Sequence, residues 1–235
     1  MLIEICANSY QSALNAQQGG AHRIELCSEL AVGGITPSHG LIKQVIRAIT
    51  IPVFVLIRPR SGDFCYSEDE FEIMKSDIDF CKEIGCAGIV SGVLHSDNCI
   101  DLKRTQELIE ISKPLDFTFH RAFDCVTNPI EELHNLASIG VKRILTSGTK
   151  ATAQEGFSIL KDLLNQQIND FVIMPGSGIN IHNIQLFKQA GFSEIHTSAS
   201  TKVAQTSSSL GFGTSHQTVS DTAIIQQLVT SIQHA

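Results

Sequence analysis

The sequence predicts a single (β/α)8 barrel, a TIM barrel of the α/β class, over residues 1–235. Short apolar runs alternate with amphipathic segments eight times along the chain, which is the pattern of successive βαβ units around a parallel sheet. The composition does not change between these units, and this favours closure into one barrel over an open sheet. A length of 235 residues is also usual for one barrel of this kind.

The apolar runs predict the strands, and the segments between them predict the helices. The predicted strands are residues 2–6, 23–27, 53–58, 88–92, 116–120, 143–147, 171–175 and 194–198. The predicted helices begin near Ser9, Ser38, Glu68, Leu102, Pro129, Thr152, Ile181 and Asp221. Local signals support some of these boundaries. Asn128 suits an N-cap before Pro129, and Gly85 and Gly140 fall where a helix should stop.

Residues 201–220 fit neither a strand nor a helix. This stretch is rich in Ser, Thr and Gly and leads to the last predicted helix. We expect either a mobile lid over the barrel mouth or a disordered link.

The net charge and the cysteine content indicate which partners the protein does not bind and in which cellular compartment it acts. The net charge is −7 and no basic stripe is present, so neither nucleic acid nor a membrane surface is an expected partner. No run approaches the roughly 20 apolar residues that span a bilayer, and residues 1–5 lack the basic region of a secretory signal. The seven cysteines contain no Cys-x-x-Cys spacing. Free thiols in the cytoplasm are therefore the expectation.

The first two predicted strands carry charged and thiol side chains on one face. Because side chains alternate along a strand, this face holds Glu4, Cys6, Arg23, Glu25 and Cys27, whereas the opposite face is wholly apolar. Helices cover the outside of a barrel, so the apolar face must point outward and the charged face into the lumen. Lone buried charges are costly. We therefore expect these charges to pair with one another in the lumen, where Glu4 and Glu25 can balance Arg23 and Arg58. A functional site is favoured over a salt-bridge network that only fills the lumen.

Eight short segments, from the second predicted strand to the eighth, resemble the CutC family. They are IELC at 24–27, GGITPS at 33–38, IRPR at 57–60, GDF at 62–64, YS at 66–67, FHRAFD at 119–124, ILTSG at 144–148 and EIHTSA at 194–199. The resemblance implies a cytoplasmic barrel that forms a homo-oligomer, a dimer or a tetramer. It also implies a role in copper homeostasis and Cu(I) binding, with the family's proposed copper ligands at Cys6 and Cys27.

The two thiols lie on neighbouring strands, each two residues after a glutamate, and we expect them at matching heights. Thiolates select Cu(I), and two of them can satisfy it. The alternative is that both cysteines are small apolar fillers of the core.

An enzyme acting on a small anionic metabolite, perhaps a phosphorylated one, is the competing hypothesis. Active sites of this fold lie at the carboxyl ends of the strands, where His120 or Glu25 could be a general base and an arginine could steady an oxyanion. The candidate catalytic residues are Glu25, Arg58, His120, Arg121 and Asp124. The candidate ligand-binding residues are Glu4, Arg23, Arg60, Ser147, Gly176, Gly178, Asn180, His196 and Ser198. A barrel whose function is its oligomer interface is a third possibility.

Overall fold

The computed structural model describes residues 1–203 and 217–233. Eight parallel strands alternate with eight helices. The strands are β1 (Leu2–Ala7), β2 (Arg23–Leu26), β3 (Val53–Leu56), β4 (Gly88–Ser91), β5 (Asp116–Phe119), β6 (Arg143–Thr146), β7 (Val172–Pro175) and β8 (Glu194–Thr197). The helices are α1 (Tyr10–Gln18), α2 (His39–Ala48), α3 (Glu68–Ile84), α4 (Leu102–Ser112), α5 (Pro129–Ser138), α6 (Phe157–Leu164), α7 (Ile184–Gln189) and α8 (Thr222–Gln233).

The strands form one sheet in the order β7-β6-β5-β4-β3-β2-β1-β8. The two end strands are brought side by side, since a Cβ added at Gly176, after β7, would lie 3.4 Å from Cβ of His196 on β8. Thr197 of β8 also donates a hydrogen bond to the carbonyl of Ile179, 2.8 Å away. The sheet is therefore a nearly closed barrel, and the predicted fold class is confirmed.

The hydrophobic core lies between the outer face of the sheet and the helices. Ile3, Ile5, Ile24 and Leu26 belong to it and are all fully buried. Their burial is the reason that the charged residues between them must point into the lumen.

Two helices begin later than the sequence predicts. Helix α6 begins at Phe157 rather than near Thr152, because the chain first makes a turn in which the Gly156 amide donates to the Thr152 carbonyl. Helix α7 begins at Ile184 rather than near Ile181. In the preceding loop the Asn183 side chain accepts from the Asn180 amide and donates to the Gly178 carbonyl.

The stretch predicted to be irregular has ordered ends. Ser200–Lys202 (β9) and Thr218–Ser220 (β10) pair as an antiparallel ribbon. The prediction of a lid or a disordered link concerns mainly residues 204–216, which lie outside the described residues. Within residues 1–203 and 217–233, no helix has the length and apolar character that crossing a bilayer requires.

Candidate functional site

The lumen contains a network of paired charges. Arg23 of β2 forms ion pairs with Glu4 of β1 and with Glu194 of β8, where the distance from Nη2 to Oε2 is 2.6 Å. Arg143 of β6 binds the same Glu194, with Nε 2.8 Å from Oε2. Both guanidinium groups also lie over the ring of Phe54, at 4.6 and 5.5 Å from its centroid. This network spans the barrel between strands that are distant in sequence.

The predicted charge balance in the lumen is partly wrong. Arg23 pairs with Glu4 as expected, but Arg58 forms no ion pair with Glu25 or with any other described carboxylate. The other charges of the network are Glu194 and Arg143. Sequence reasoning missed both residues. The sequence could have identified them, since each is the first residue of a predicted strand. Arg143 lies two residues before Leu145 and Glu194 two residues before His196, so each points to the same inward side as that residue.

A second layer, nearer the barrel mouth, joins Glu4, Glu25 and His196. His196 Nδ1 lies 2.8 Å from Glu4 Oε1 and 3.7 Å from Glu25 Oε2. One atom from each residue falls within 4.8 Å of the others, which is close enough to hold a cation, although Glu4 already accepts from Arg23 and His196. Glu25 Oε2 is buried and has no hydrogen-bond partner in the described part of the chain.

The pKa values of this layer are moved apart by its surroundings. Burial alone would raise the pKa of Glu4, but the Arg23 charge and the His196 hydrogen bond lower it to about 2. Burial, together with the charge of Glu4, raises the pKa of Glu25 to about 7, although His196 and Arg23 oppose this rise. Burial opposes protonation of His196, but the hydrogen bond to Glu4 and the charges of both glutamates raise its pKa. Two adjacent glutamates therefore differ in protonation near neutral pH.

The two candidate metal ligands are in contact. Cys6 Sγ lies 3.7 Å from Cys27 Sγ, and both side chains are buried. Their predicted matching height is wrong, because Cys6 pairs with Glu25 across β1 and β2, and Cys27 lies two residues further along. The contact with Cys27 and burial raise the pKa of Cys6, and the negative charges of Glu25 and Glu4 raise it further.

A cavity of about 350 Å³ opens at the carboxyl ends of the strands. The predicted site residues that line it are Cys6, Glu25, Arg58, His120, Arg121, Gly178, His196 and Ser198. Its apolar lining comes from Leu30, Leu56, Phe64, Leu145 and Ile179. The size and the mixed lining are typical of a small-molecule site. Leu30 begins a short 3-10 helix and Phe64 lies in a loop. Phe64 belongs to the GDF segment at 62–64, but neither residue was among the candidate site residues.

His120 is neutral and is held in one orientation. Its Nδ1 accepts a hydrogen bond from the Ala122 amide at 3.2 Å, so the ring proton is on Nε2. Burial, followed by the charge of Arg58, lowers the pKa of His120 to about 3. Burial and the charge of Arg58 therefore keep the imidazole of His120 neutral.

Asp124 is a structural centre of the β5 and β6 loops. Its carboxylate accepts from Arg121 Nε at 2.7 Å, from the Ser147 amide at 2.9 Å and from the Thr149 amide at 3.1 Å. Ser147 Oγ and Thr146 Oγ1 also donate to it. Arg121 and Ser147 are thereby fixed in place, and Asp124 has little capacity left for a ligand.

Three of the remaining candidate residues do not line the cavity. Arg60 is more than a third exposed and pairs with Glu70 and Asp63. Asn180 is exposed, and its side chain donates to Gly178. Gly176 is buried between Leu145 and His196. We predicted a helix from near Ile181, but α7 begins only at Ile184. The loop of residues 176–180 therefore does not lead directly into a helix.

Comparisons with known proteins agree with this architecture. A sequence model described as the CutC family matches residues 1–201. A protein of Erwinia tasmaniensis that carries the name family protein CutC is 45% identical over 204 residues, which cover 87% of this chain and 81% of that protein. A human protein named copper homeostasis protein cutC homolog is 47% identical over 199 residues, which cover 84% and 73% of the two chains. A crystal structure of CutC from Streptococcus agalactiae superposes with a TM-score of 0.79 at 33% identity, covering 84% of this chain and 98% of the other.

Proposed function

Because the chain belongs to the CutC family, we propose that it acts in copper homeostasis and that Cys6 and Cys27 bind one Cu(I) ion. The human and mouse relatives carry the name of copper homeostasis proteins, which supports the general role. The observation that carries the specific proposal is the 3.7 Å contact between the two buried sulfur atoms.

The chemistry of this pair suits Cu(I). Thiolates are soft ligands and prefer Cu(I) to harder cations. Cys6 lines the barrel-mouth cavity, whereas Cys27 is fully buried and does not line it. An incoming ion therefore meets Cys6 first. Because the two sulfurs are in contact, they must separate to admit the ion, and the cavity gives Cys6 room to move.

Binding must displace protons from the thiols. The pKa of Cys6 is raised by the contact with Cys27 and by burial, so its thiol is protonated at neutral pH. Metal binding requires the thiolate form. Loading with Cu(I) should therefore release protons and become tighter as the pH rises.

An anaerobic titration tests the proposal. We expect the full chain to take up one equivalent of Cu(I) in competition with a chromogenic chelator, and its X-ray absorption spectrum to show sulfur ligands. The variant Cys6→Ser/Cys27→Ser should lose this site. Undiminished stoichiometry in that variant contradicts the proposal.

The chain provides a matched control. Cys81 and Cys86 form a second buried cysteine pair, in which contact with Cys86 and burial raise the pKa of Cys81. Helix α3 carries Cys81, and neither residue lines the barrel-mouth cavity. The variant Cys81→Ser/Cys86→Ser should bind Cu(I) as the parent does.

We further propose that the protein acts in the cytoplasm and as a homo-oligomer, either a dimer or a tetramer. The seven cysteines are all free, which suits a reducing compartment. Light scattering of the purified chain should give a mass of two or four subunits, and a monomer at micromolar concentration contradicts this part of the proposal.

A further inference from the structure

We propose that the barrel mouth also binds a small organic oxyanion, a carboxylate or a phosphate monoester, whose oxygen atoms contact Arg58 and His120. This site shares its cavity with Cys6 but uses other side chains, and it does not depend on copper. It is the kind of site that an enzyme acting on an anionic metabolite needs.

The first support is the unbalanced charge of Arg58. This guanidinium is 5% exposed and lines the cavity. Its Nη atoms donate only to backbone carbonyls, those of Val32 (3.0 Å), Gly34 (2.9 Å) and Gly62 (2.6 Å). No carboxylate of residues 1–203 or 217–233 lies within ion-pair distance of it, and its buried Nε has no partner there. A buried charge without a counter-ion is unfavourable, and an anion in the cavity would remove that penalty.

The second support is the free donor on His120. Its Nδ1 is occupied by the Ala122 amide, so Nε2 carries the proton. Nε2 is buried and lacks a hydrogen-bond partner in the described chain. Gly92 lies against the Nδ1 and Cε1 edge of the ring, where an added Cβ would be only 2.7 Å from Nδ1, so the ring orientation is fixed. A neutral, fixed N–H donor beside a guanidinium is suited to an oxyanion.

Phe64 links these two groups and shields them. Its ring centroid is 4.8 Å from Cζ of Arg58 and 4.9 Å from the centroid of the His120 ring. By excluding water, it strengthens the attraction between Arg58 and an anion. Arg121 lines the same cavity, but its charge is paired with Asp124. Glu25 also lines the cavity, but it lies beside His196 and is not paired with Arg58, which places the anion on the Arg58 side.

Calorimetric titration of the full chain with orthophosphate and with malonate tests the proposal. These probes separate phosphate from carboxylate recognition, and we expect at least one to bind with a dissociation constant of about 1 mM or below, the range of ordinary substrate affinities. His120→Asn keeps an oxygen that can accept from Ala122 but removes the Nε2 donor. Arg58→Gln removes the charge. Each change should weaken binding at least tenfold.

Exposed Arg47 provides the control, because Arg47→Gln removes one positive charge far from the cavity and should leave binding unchanged. Circular dichroism verifies folding, and if Arg58→Gln does not fold, His120→Asn decides the outcome. Absence of binding by both probes up to 10 mM overturns the proposal, as does equal binding by the parent and His120→Asn. Copper binding is measured by Cu(I) stoichiometry and anion binding by calorimetry of the copper-free chain, so failure of the copper proposal and failure of this one are distinguishable.

Discussion

His196 Nδ1 lies 2.8 Å from Oε1 of Glu4. The two residues face each other where β8, the last strand of the barrel in the chain, pairs with β1, the first. The other oxygen of Glu4 binds Arg23. Glu4 is fully buried, so a single carboxylate holds both Arg23 and His196 in the lumen. The position of His196 in the cavity wall therefore depends on Glu4.

Glu4→Gln should strongly destabilise the fold. The substitution leaves Arg23 with Glu194 alone and removes the partner that raises the pKa of His196. Breaking one side of a buried ion pair costs about 3 to 5 kcal/mol, and we expect a loss in this range by urea denaturation. Glu72→Gln breaks an exposed pair with Lys75 and should cost less than about 1 kcal/mol. Equal losses in the two variants contradict this interpretation of the lumen.

Stability should fall as Glu25 ionises. Its folded pKa is about 7 against an ordinary 4.5, so between these values the folded state holds the proton more tightly than the unfolded state. Stability is then lost as the pH rises through this window, by about 3 kcal/mol in total. Glu25→Gln lacks this titration, and its stability relative to the parent should grow by about that amount between pH 4.5 and pH 8. Denaturation curves at both pH values measure the difference, and a constant difference contradicts the assignment.

Alternation of side chains was sufficient to predict which residues of β1 and β2 enter the lumen. Ile3 and Ile5 identify the outer face, and the residues between them follow. The same rule, applied to β6 and β8, would have identified Arg143 and Glu194. That part of the candidate site was available from the sequence.

The environment of Arg58 was not predictable in the same way. Its partners are the carbonyls of loop residues Val32, Gly34 and Gly62. The path of these loops depends on positive φ angles, 86° at Gly33 and 85° at Gly34, which glycine permits but does not specify. From the sequence we expected the lumen carboxylates to balance Arg58, whereas in the structure it donates to backbone carbonyls.

Asp124→Asn should reduce stability rather than abolish ligand binding. The Asp124 carboxylate accepts from two backbone amides, two hydroxyls and Arg121. An amide group would place a donor among these donors and lose the charge, at a cost of about 3 kcal/mol. Asp79→Asn, at a largely exposed position on α3, is the control and should be near neutral. Cu(I) affinity should be unchanged in both, and a large change in Asp124→Asn would assign it a direct role.

Cu(I) affinity should rise with pH and should be greater in Glu25→Gln. The raised pKa of Cys6 means that binding displaces its proton, so the apparent affinity should increase about tenfold for each pH unit. Glu25 opposes the thiolate, because its negative charge is one cause of the raised Cys6 pKa. Replacing it by glutamine removes that repulsion, and the gain in affinity should be largest above pH 7, where Glu25 is ionised.

Chelator competition between pH 6 and pH 8 measures both effects on the same protein preparations. Glu83→Gln, an exposed position at the end of α3, removes the same charge far from the thiols and should follow the parent. A pH-independent affinity means that the ion does not replace thiol protons, and Cys6 is then not a ligand. An affinity that falls in Glu25→Gln contradicts the prediction and means that the attraction of this carboxylate for the metal ion outweighs its repulsion of the thiolate.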